Sequence, residues 1–85
     1  DPVIWKPSEK TPLTALATQA VVERALGRFG DAPAGLLQVL VGGRELGETL
    51  AADARVPLVS ATGSTRMGRA VAQTVAARLG RSLLE

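Results

Sequence analysis

The chain has 85 residues, 46% of them hydrophobic and 21% charged, which fits one small globular domain and argues against a disordered segment. It contains no cysteine and no histidine, which excludes disulfides, cysteine zinc sites, a thiol nucleophile and histidine acid–base catalysis within these residues. A net charge of +2 and a 2% aromatic share do not favour nucleic-acid binding, so we interpret the arginines mainly as solvated.

The N-terminal part of the chain predicts a strand and then a helix. Residues 3–5 form a short β-prone run, which is ended by the proline that follows. Thr11 and Pro12 are typical of an N-cap and a first helical position, and apolar residues follow at helical spacing. We expect this helix to end at Gly27 or Gly30.

Three further segments alternate between strand and helix. Residues 36–41 are almost continuously apolar, as in a strand that is buried on both faces of a parallel sheet. Residues 45–52 predict a short helix, and residues 56–61 predict a third strand.

The C-terminal part predicts one more helix and one more strand. Ser64 or Thr65 can cap a helix with apolar residues at every fourth position, which we expect Gly80 to close. Residues 82–84 begin a fourth strand. The order β-α-β-α-β-α-β predicts an α/β fold with a three-layer, Rossmann-like parallel sheet, and the uncovered last strand suggests a partial domain.

Polar and glycine-rich clusters follow three of the predicted strands. They are residues 6–9, Gly42 with Gly43, and residues 62–65. Because ligands of parallel α/β sheets bind at the carboxyl ends of the strands, these clusters are the candidate binding residues.

The segment from Gly63 to Gly68 joins a strand to a helix. The free N–H groups and the positive dipole end of that helix favour a phosphate group, and Gly63 lets a ligand approach the backbone. A P-loop is excluded because Arg69 and Ala70 stand where lysine and serine or threonine are needed. The pattern also fits an ordinary strand-to-helix turn.

Lys6 and Glu9 flank Pro7 and Ser8 directly after the first strand. A carboxylate there can accept hydrogen bonds from ribose hydroxyls while the ammonium donates to the same sugar. Charged residues in such a loop are usually just solvated, and a terminal glutamate such as Glu85 is usually a frayed, exposed residue.

Taken together, the motifs resemble the NAD(P)-dependent aldehyde dehydrogenases, and the resemblance covers essentially the whole chain. The segments WKPSEKTPL, SATGST and LLE occur in the family's order and spacing. The segments KPSEKTPLTAL, GGRELG, RVPLVSATGSTRMGR and GRSLLE are most similar to the branch that oxidises α-aminoadipic semialdehyde or its cyclic form, piperideine-6-carboxylate.

The resemblance implies a role for several residues. Lys6 and Glu9 would hold the adenosine ribose, and Gly43 and Gly47 would let the adenine side of the cofactor pass. The remaining cofactor-site residues that it implies are Gly63 and Ser64 at the pyrophosphate, Met67 beside the cofactor, and Ser8 and Gly68 within the same motifs.

Glu85 matches the glutamate that opens the family's Glu-Leu-Gly-Gly motif and acts as the general base. The family's catalytic cysteine would lie outside these residues, so we expect the isolated 85-residue chain to be inactive. Ala61 departs from the pattern, because the family usually has phenylalanine before Thr-Gly-Ser, and this loosens the packing under the phosphate turn.

We therefore expect residues 1–85 to be a partial NAD-binding domain of an oxidoreductase that converts an aldehyde to a carboxylic acid. The carboxylate of Glu9 would repel a 2′-phosphate and so favours NAD, although Lys6 and Lys10 soften that repulsion and leave NADP open. The alternative is a non-enzymatic α/β binding or scaffold module.

The expected partners and location follow from the same features. Short apolar runs and the lack of a leader pattern indicate no membrane partner and a cytoplasmic compartment. We expect an aldehyde substrate, no nucleic acid, no metal site and a homo-oligomeric parent enzyme.

Overall fold

The computed structural model describes residues 1–85 and contains three helices and four strands. The chain divides into two compact units, an N-terminal unit of residues 1–43 and a C-terminal unit of residues 44–85. Both consist of short parallel strands joined through helices, so the predicted α/β class and the parallel pairing are confirmed.

The N-terminal unit is a β-α-β arrangement. Strand β1 (Val3–Trp5) pairs with strand β2 (Leu37–Val39), and helix α1 (Pro12–Leu26) packs on β2. Ala15 on α1 is 1% exposed. Its side chain is small enough for the helix to approach the strand closely.

Helix α1 begins at Pro12, as predicted, but Thr11 does not cap it with its side chain. Thr11 has φ −133° and ψ 43°, and its own N–H donates to the carbonyl of Ser8 at 3.1 Å. The expected cap bond was therefore wrong, because Thr11 belongs to the turn that begins at Ser8. Gly27 is the C-cap residue, and Gly30 has φ +69° in the loop that follows.

The C-terminal unit is built around helix α3 (Thr65–Ala77). This helix packs on strands β3 (Leu58–Ala61) and β4 (Arg81–Leu84), which pair with each other, and on helix α2 (Arg44–Ala52). Val75 is 0% exposed. It therefore lies at the centre of this unit's core.

Three details of the strands and helices differ from the prediction. The backbone ladders join β1 to β2 and β3 to β4, as two-stranded sheets, one in each unit. Strand β2 is half-buried rather than buried on both faces, with Gln38 exposed. Helix α3 ends at Ala77, and the left-handed residue after it is Leu79, with φ +61°, rather than Gly80.

The longest helix has 15 residues, and none of the helices combines the length and the apolar character that a membrane crossing requires.

Candidate functional site

The predicted site residues fall into two groups at strand ends, one in each unit. The group in the N-terminal unit, here the Lys6 group, consists of Lys6, Ser8, Glu9, Gly42 and Gly43. The group in the C-terminal unit, here the Ser64 group, consists of Gly63, Ser64, Met67, Gly68 and Glu85.

Lys6 follows β1 directly and is half-buried. Its Nζ donates to the carbonyl of Pro7 at 2.7 Å and to the carbonyl of Gly42 at 3.1 Å. The ammonium therefore connects the segments that follow β1 and β2. An ammonium has three donors, so one N–H is left for a ligand.

Glu9 approaches the Gly42–Gly43 turn from the same loop. A Cβ atom added at Gly43 would lie 3.4 Å from Glu9 Oε2, so the carboxylate stands against the bare α-carbon of this glycine. Ser8 Oγ accepts the N–H of Lys10 at 3.2 Å and so stabilises the loop itself. Beside these glycines, the ammonium of Lys6 can donate hydrogen bonds to the hydroxyls of a sugar, and the carboxylate of Glu9 can accept hydrogen bonds from them.

Gly47 belongs to neither group. It lies within helix α2, in the C-terminal unit, and is half-buried.

Ser64 is the N-cap of helix α3, one of the two capping positions that the sequence allowed. Its φ and ψ of −70° and 152° are extended, and its Oγ accepts the N–H of Met67 at 3.2 Å. The carbonyl of Ser64 accepts the N–H of Gly68 at 2.9 Å. The N–H groups of Thr65 and Arg66, in the first turn, have no partner inside the helix and can donate to an anion.

Gly63 precedes this cap, and Met67 is the side chain nearest to the place where a Cβ of Gly63 would lie. A Cβ atom at Gly63 would collide with the terminal methyl group of Met67, and its next neighbour would be Met67 Sδ at 4.0 Å. Met67 thus fills the space that the glycine leaves.

Glu85 is joined to Ala61 and to Gly63 by one backbone hydrogen bond each. Its N–H donates to the carbonyl of Ala61 at 3.0 Å, and its own carbonyl accepts the N–H of Gly63 at 3.0 Å. The extension of β4 therefore brings the predicted base to the predicted phosphate turn.

A cavity of about 300 Å³ opens at this point of the C-terminal unit. Its lining residues are Gly63, Thr65, Gly68, Arg69, Ala72, Leu84 and Glu85. The cavity thus brings together the first turn of helix α3, an arginine and a glutamate, with apolar residues beside them. A larger cavity of about 350 Å³, between α1 and the loop before β2, contains none of the predicted site residues.

Thr65 belongs to one of the predicted clusters, but sequence reasoning missed Arg69 and Ala72 as lining residues. The signal was present, because positions 65, 68, 69 and 72 lie on one face of a helix. Arg69 is exposed, as expected for the arginines, but it lies at this cavity.

The interpretation of the arginines as mainly solvated is wrong for Arg78. Its Nε donates to the carbonyl of Ala51 and its terminal nitrogen to the carbonyl of Val56, each at 2.7 Å. It therefore stabilises the C-terminal unit, away from the Ser64 group.

Outside both groups, the side-chain hydrogen bonds of Arg55 lower the pKa of Asp53 to about 2, and the N–H of Arg55 contributes further. No three or more acidic side chains come together in a way that could hold a metal ion.

Known proteins are similar to this chain over nearly its whole length. The chain is 45% identical over 83 residues to aldehyde dehydrogenase family 7 member B4 of Arabidopsis thaliana, a match of 98% of this chain and 16% of that protein. It is 38% identical over 82 residues to the alpha-aminoadipic semialdehyde dehydrogenase of Bos taurus, a match of 96% of this chain and 15% of the bovine protein.

Among solved structures, a Mycobacterium tuberculosis aldehyde dehydrogenase complexed with NAD+ matches with a TM-score of 0.88 and 33% identity, over 99% of this chain and 16% of that one. The chain thus spans about a sixth of the length of these relatives. The resemblance seen in the motifs is confirmed. The sequence profile of the aldehyde dehydrogenase family matches residues 2–85, and the chain therefore belongs to that family.

Proposed function

We propose that this chain is the central part of the cofactor-binding domain of an NAD-dependent aldehyde dehydrogenase. The observation that carries the proposal is the Ser64 group, in which a capped helix N-terminus and Glu85 line one cavity of about 300 Å³. The named relatives support an aldehyde as the substrate, and a solved relative was crystallised with NAD+.

The residues present fit a dinucleotide. At the Ser64 group, the N–H groups of Thr65 and Arg66 and the positive end of α3 suit a pyrophosphate. Gly63 lines the cavity, and Ser64 keeps the helix end ordered through the N–H of Met67. Gly68 lines the same cavity one turn further along the helix.

At the Lys6 group, the remaining N–H of Lys6 and the carboxylate of Glu9 suit the hydroxyls of the adenosine ribose. Ser8 orders the loop that carries Glu9. Gly43, and Gly47 on α2, are proposed to let the adenine side pass. Met67 is proposed to pack beside the cofactor.

When bound, NAD supplies the acceptor for the hydride that leaves the aldehyde carbon. The carboxylate of Glu85 then takes a proton from a water molecule. That water attacks the acyl group left by oxidation of the aldehyde, and the carboxylic acid is released. The overall reaction converts an aldehyde, NAD+ and water to a carboxylic acid, NADH and a proton. This chain holds no cysteine, so another part of the enzyme would supply the thiol nucleophile.

The substrate is proposed to be α-aminoadipic semialdehyde, because mammalian relatives at 37–38% identity are alpha-aminoadipic semialdehyde dehydrogenases. The test is the formation of NADH by the full-length protein with this aldehyde and with a simple aliphatic aldehyde, in the presence of NAD or NADP. Turnover of the aliphatic aldehyde alone would refute the substrate, and no turnover with either aldehyde would refute the function.

Glu9 provides a test of the cofactor preference. A carboxylate repels a 2′-phosphate, so Glu9→Gln should narrow the ratio of kcat/KM for NAD over NADP. Glu23→Gln, on helix α1 of the same unit, is the matched control and should leave the ratio unchanged. An unchanged ratio in both variants would contradict the role of Glu9.

A further inference from the structure

Arg69 lines the cavity of the Ser64 group but has no role in the proposed function. Three other arginines make contacts within the chain: Arg44 and Arg55 pair with carboxylates, and Arg78 donates to two backbone carbonyls. Arg69 is exposed, and unlike these three its side chain makes no hydrogen bond and no ion pair within the chain. Its guanidinium therefore has its five N–H donors available for a ligand.

Helix geometry directs the Arg69 side chain toward the proposed pyrophosphate turn. Arg69 follows Thr65 by four residues, so the two lie on one face of α3, and both line the cavity. Side chains of a helix lean toward its N-terminus, so that of Arg69 leans toward the first turn, where the N–H groups of Thr65 and Arg66 have no partner inside the helix. The guanidinium and these N–H groups can thus donate to the same anion.

The two charged residues at the cavity have different uses for a ligand. Glu85 carries a carboxylate, which accepts hydrogen bonds and does not attract an anion, so Arg69 is the charged residue there that can hold one. The pyrophosphate of a dinucleotide is anionic, and the planar guanidinium of arginine matches two oxygens of a phosphate group. We propose that Arg69 binds the pyrophosphate of the cofactor from the second turn of α3. This inference rests on the proposed function and adds a charged side chain to a subsite whose other donors are backbone N–H groups.

The test is NAD binding to the full-length protein, measured by calorimetry without an aldehyde. Arg69→Met keeps an apolar stem and removes the charged donors, so the dissociation constant of NAD should rise about tenfold, as for the loss of one charge-assisted hydrogen bond. Arg69→Lys keeps the charge but loses the planar fork, so its dissociation constant should lie between the two. Arg24→Met is the matched control, because it removes the same charge from an exposed position of helix α1 and should leave the affinity unchanged.

Two fragments of the cofactor locate the contact. ADP contains the pyrophosphate and adenosine does not, so Arg69→Met should weaken the competition of ADP with NAD and leave that of adenosine unchanged. An equal loss for both fragments would place the effect at the adenine or the ribose and would overturn the proposal. A dissociation constant of NAD in Arg69→Met within about twofold of the parent value would overturn it as well.

These measurements distinguish the two proposals. If the parent protein does not bind NAD, both fail, whereas equal binding by the parent and by Arg69→Met refutes only the role of Arg69. A higher KM for the aldehyde at saturating NAD, with an unchanged dissociation constant of NAD, would assign Arg69 to the carboxylate of the substrate and overturn the proposal.

Thermal unfolding shows whether the variants keep the fold. The midpoints of Arg69→Met and Arg69→Lys should equal that of the parent, because the Arg69 side chain makes no hydrogen bond within the chain. An affinity loss that accompanies a lower midpoint in both variants would be a structural effect and would overturn the proposal.

Discussion

At the scale of single residues, Glu85 carries this chain's share of the proposed chemistry. Backbone hydrogen bonds to Ala61 and from Gly63 fix its place, and Glu85 lines the cavity of the Ser64 group. The position of its backbone therefore depends on the β3–β4 ladder.

Replacing Glu85 by glutamine keeps the shape of the side chain and removes its basicity. In the full-length enzyme, Glu85→Gln should lower kcat by about 10²–10⁴-fold, the usual contribution of a general base. NAD affinity should hardly change, since other residues are proposed to bind the cofactor. Steady-state kinetics and calorimetry measure the two effects, with Glu45→Gln on α2 as the control. A kcat within about twofold of the parent would show that Glu85 is not the base.

Asp53 is the residue whose ionisation the structure perturbs most clearly. The side-chain hydrogen bonds of Arg55 lower the pKa of Asp53 to about 2, helped by the backbone N–H of Arg55 at 2.9 Å. A lowered pKa favours the folded state above the ordinary pKa of aspartate, and this contribution is lost as the pH falls through about 2. The Arg55 side chain is 89% exposed, so water screens the ion pair and its effect on stability is small.

Arg55→Met should raise the pKa of Asp53 towards its ordinary range, but not fully, because the backbone N–H at residue 55 remains. An NMR titration of the Asp53 carboxyl carbon measures this. Arg44→Met removes another exposed ion pair, with Glu48 at 2.7 Å, and should not move the Asp53 titration. An unchanged Asp53 pKa in Arg55→Met would show that the guanidinium is not its cause.

Sequence reasoning reached the strand-end residues but not all of their partners. Ser64 was predictable as a cap because capping depends on residues within one turn of each other. The contact of Lys6 with Gly42 joins positions 36 residues apart and depends on strand pairing, so the local sequence does not reveal it. The same holds for Arg78, whose partners are 22 and 27 residues away.

At the scale of whole elements, the end of helix α3 shows how long-range bonds override a local signal. The sequence favours Gly80 as the residue that closes the helix, but Leu79 takes the positive φ of 61°. A Cβ at Gly80 would lie 2.7 Å from a guanidinium nitrogen of Arg78 and 2.9 Å from a methyl carbon of Val75. Gly80 is therefore needed for space, because the bonds of Arg78 to Ala51 and Val56 fix the guanidinium there.

Arg78→Met should destabilise the C-terminal unit. The variant keeps much of the apolar stem but leaves two carbonyls without their charged donor, so the free energy of unfolding should fall by about 2–3 kcal/mol. Urea denaturation of the full-length protein measures this. Arg66→Met, at an exposed position of helix α3, whose C-cap residue is Arg78, is the control. Equal stability of the two variants would show that the Arg78 bonds contribute nothing.

The strands were predicted longer than they are. The apolar runs over residues 36–41 and 56–61 contain strands of three and four residues. Pairing limits them: β2 can pair only as far as the three-residue β1, which Pro7 follows, and Pro57 stands just before β3. Apolar composition alone does not reveal where the partner strand ends.

At the scale of the whole chain, most large apolar side chains are exposed. The buried hydrophobic residues are Ala15, Ala51 and Val75, whereas Leu13, Phe29 and Leu79 are 79%, 71% and 94% exposed. The few buried methyl groups contribute little hydrophobic stabilisation to offset the conformational entropy that 85 residues lose on folding. We therefore expect the chain to be unstable unless other protein covers these side chains.

The 85-residue chain produced alone should therefore lack a cooperative thermal transition. We expect helical far-UV circular dichroism, a weak near-UV signal from Trp5, which is 36% exposed, and binding of a hydrophobic dye. The full-length protein, measured in the same buffer, is the control and should unfold cooperatively with little dye binding. A sharp transition of the isolated chain with native-like near-UV dichroism would contradict this prediction and would favour a module that folds by itself.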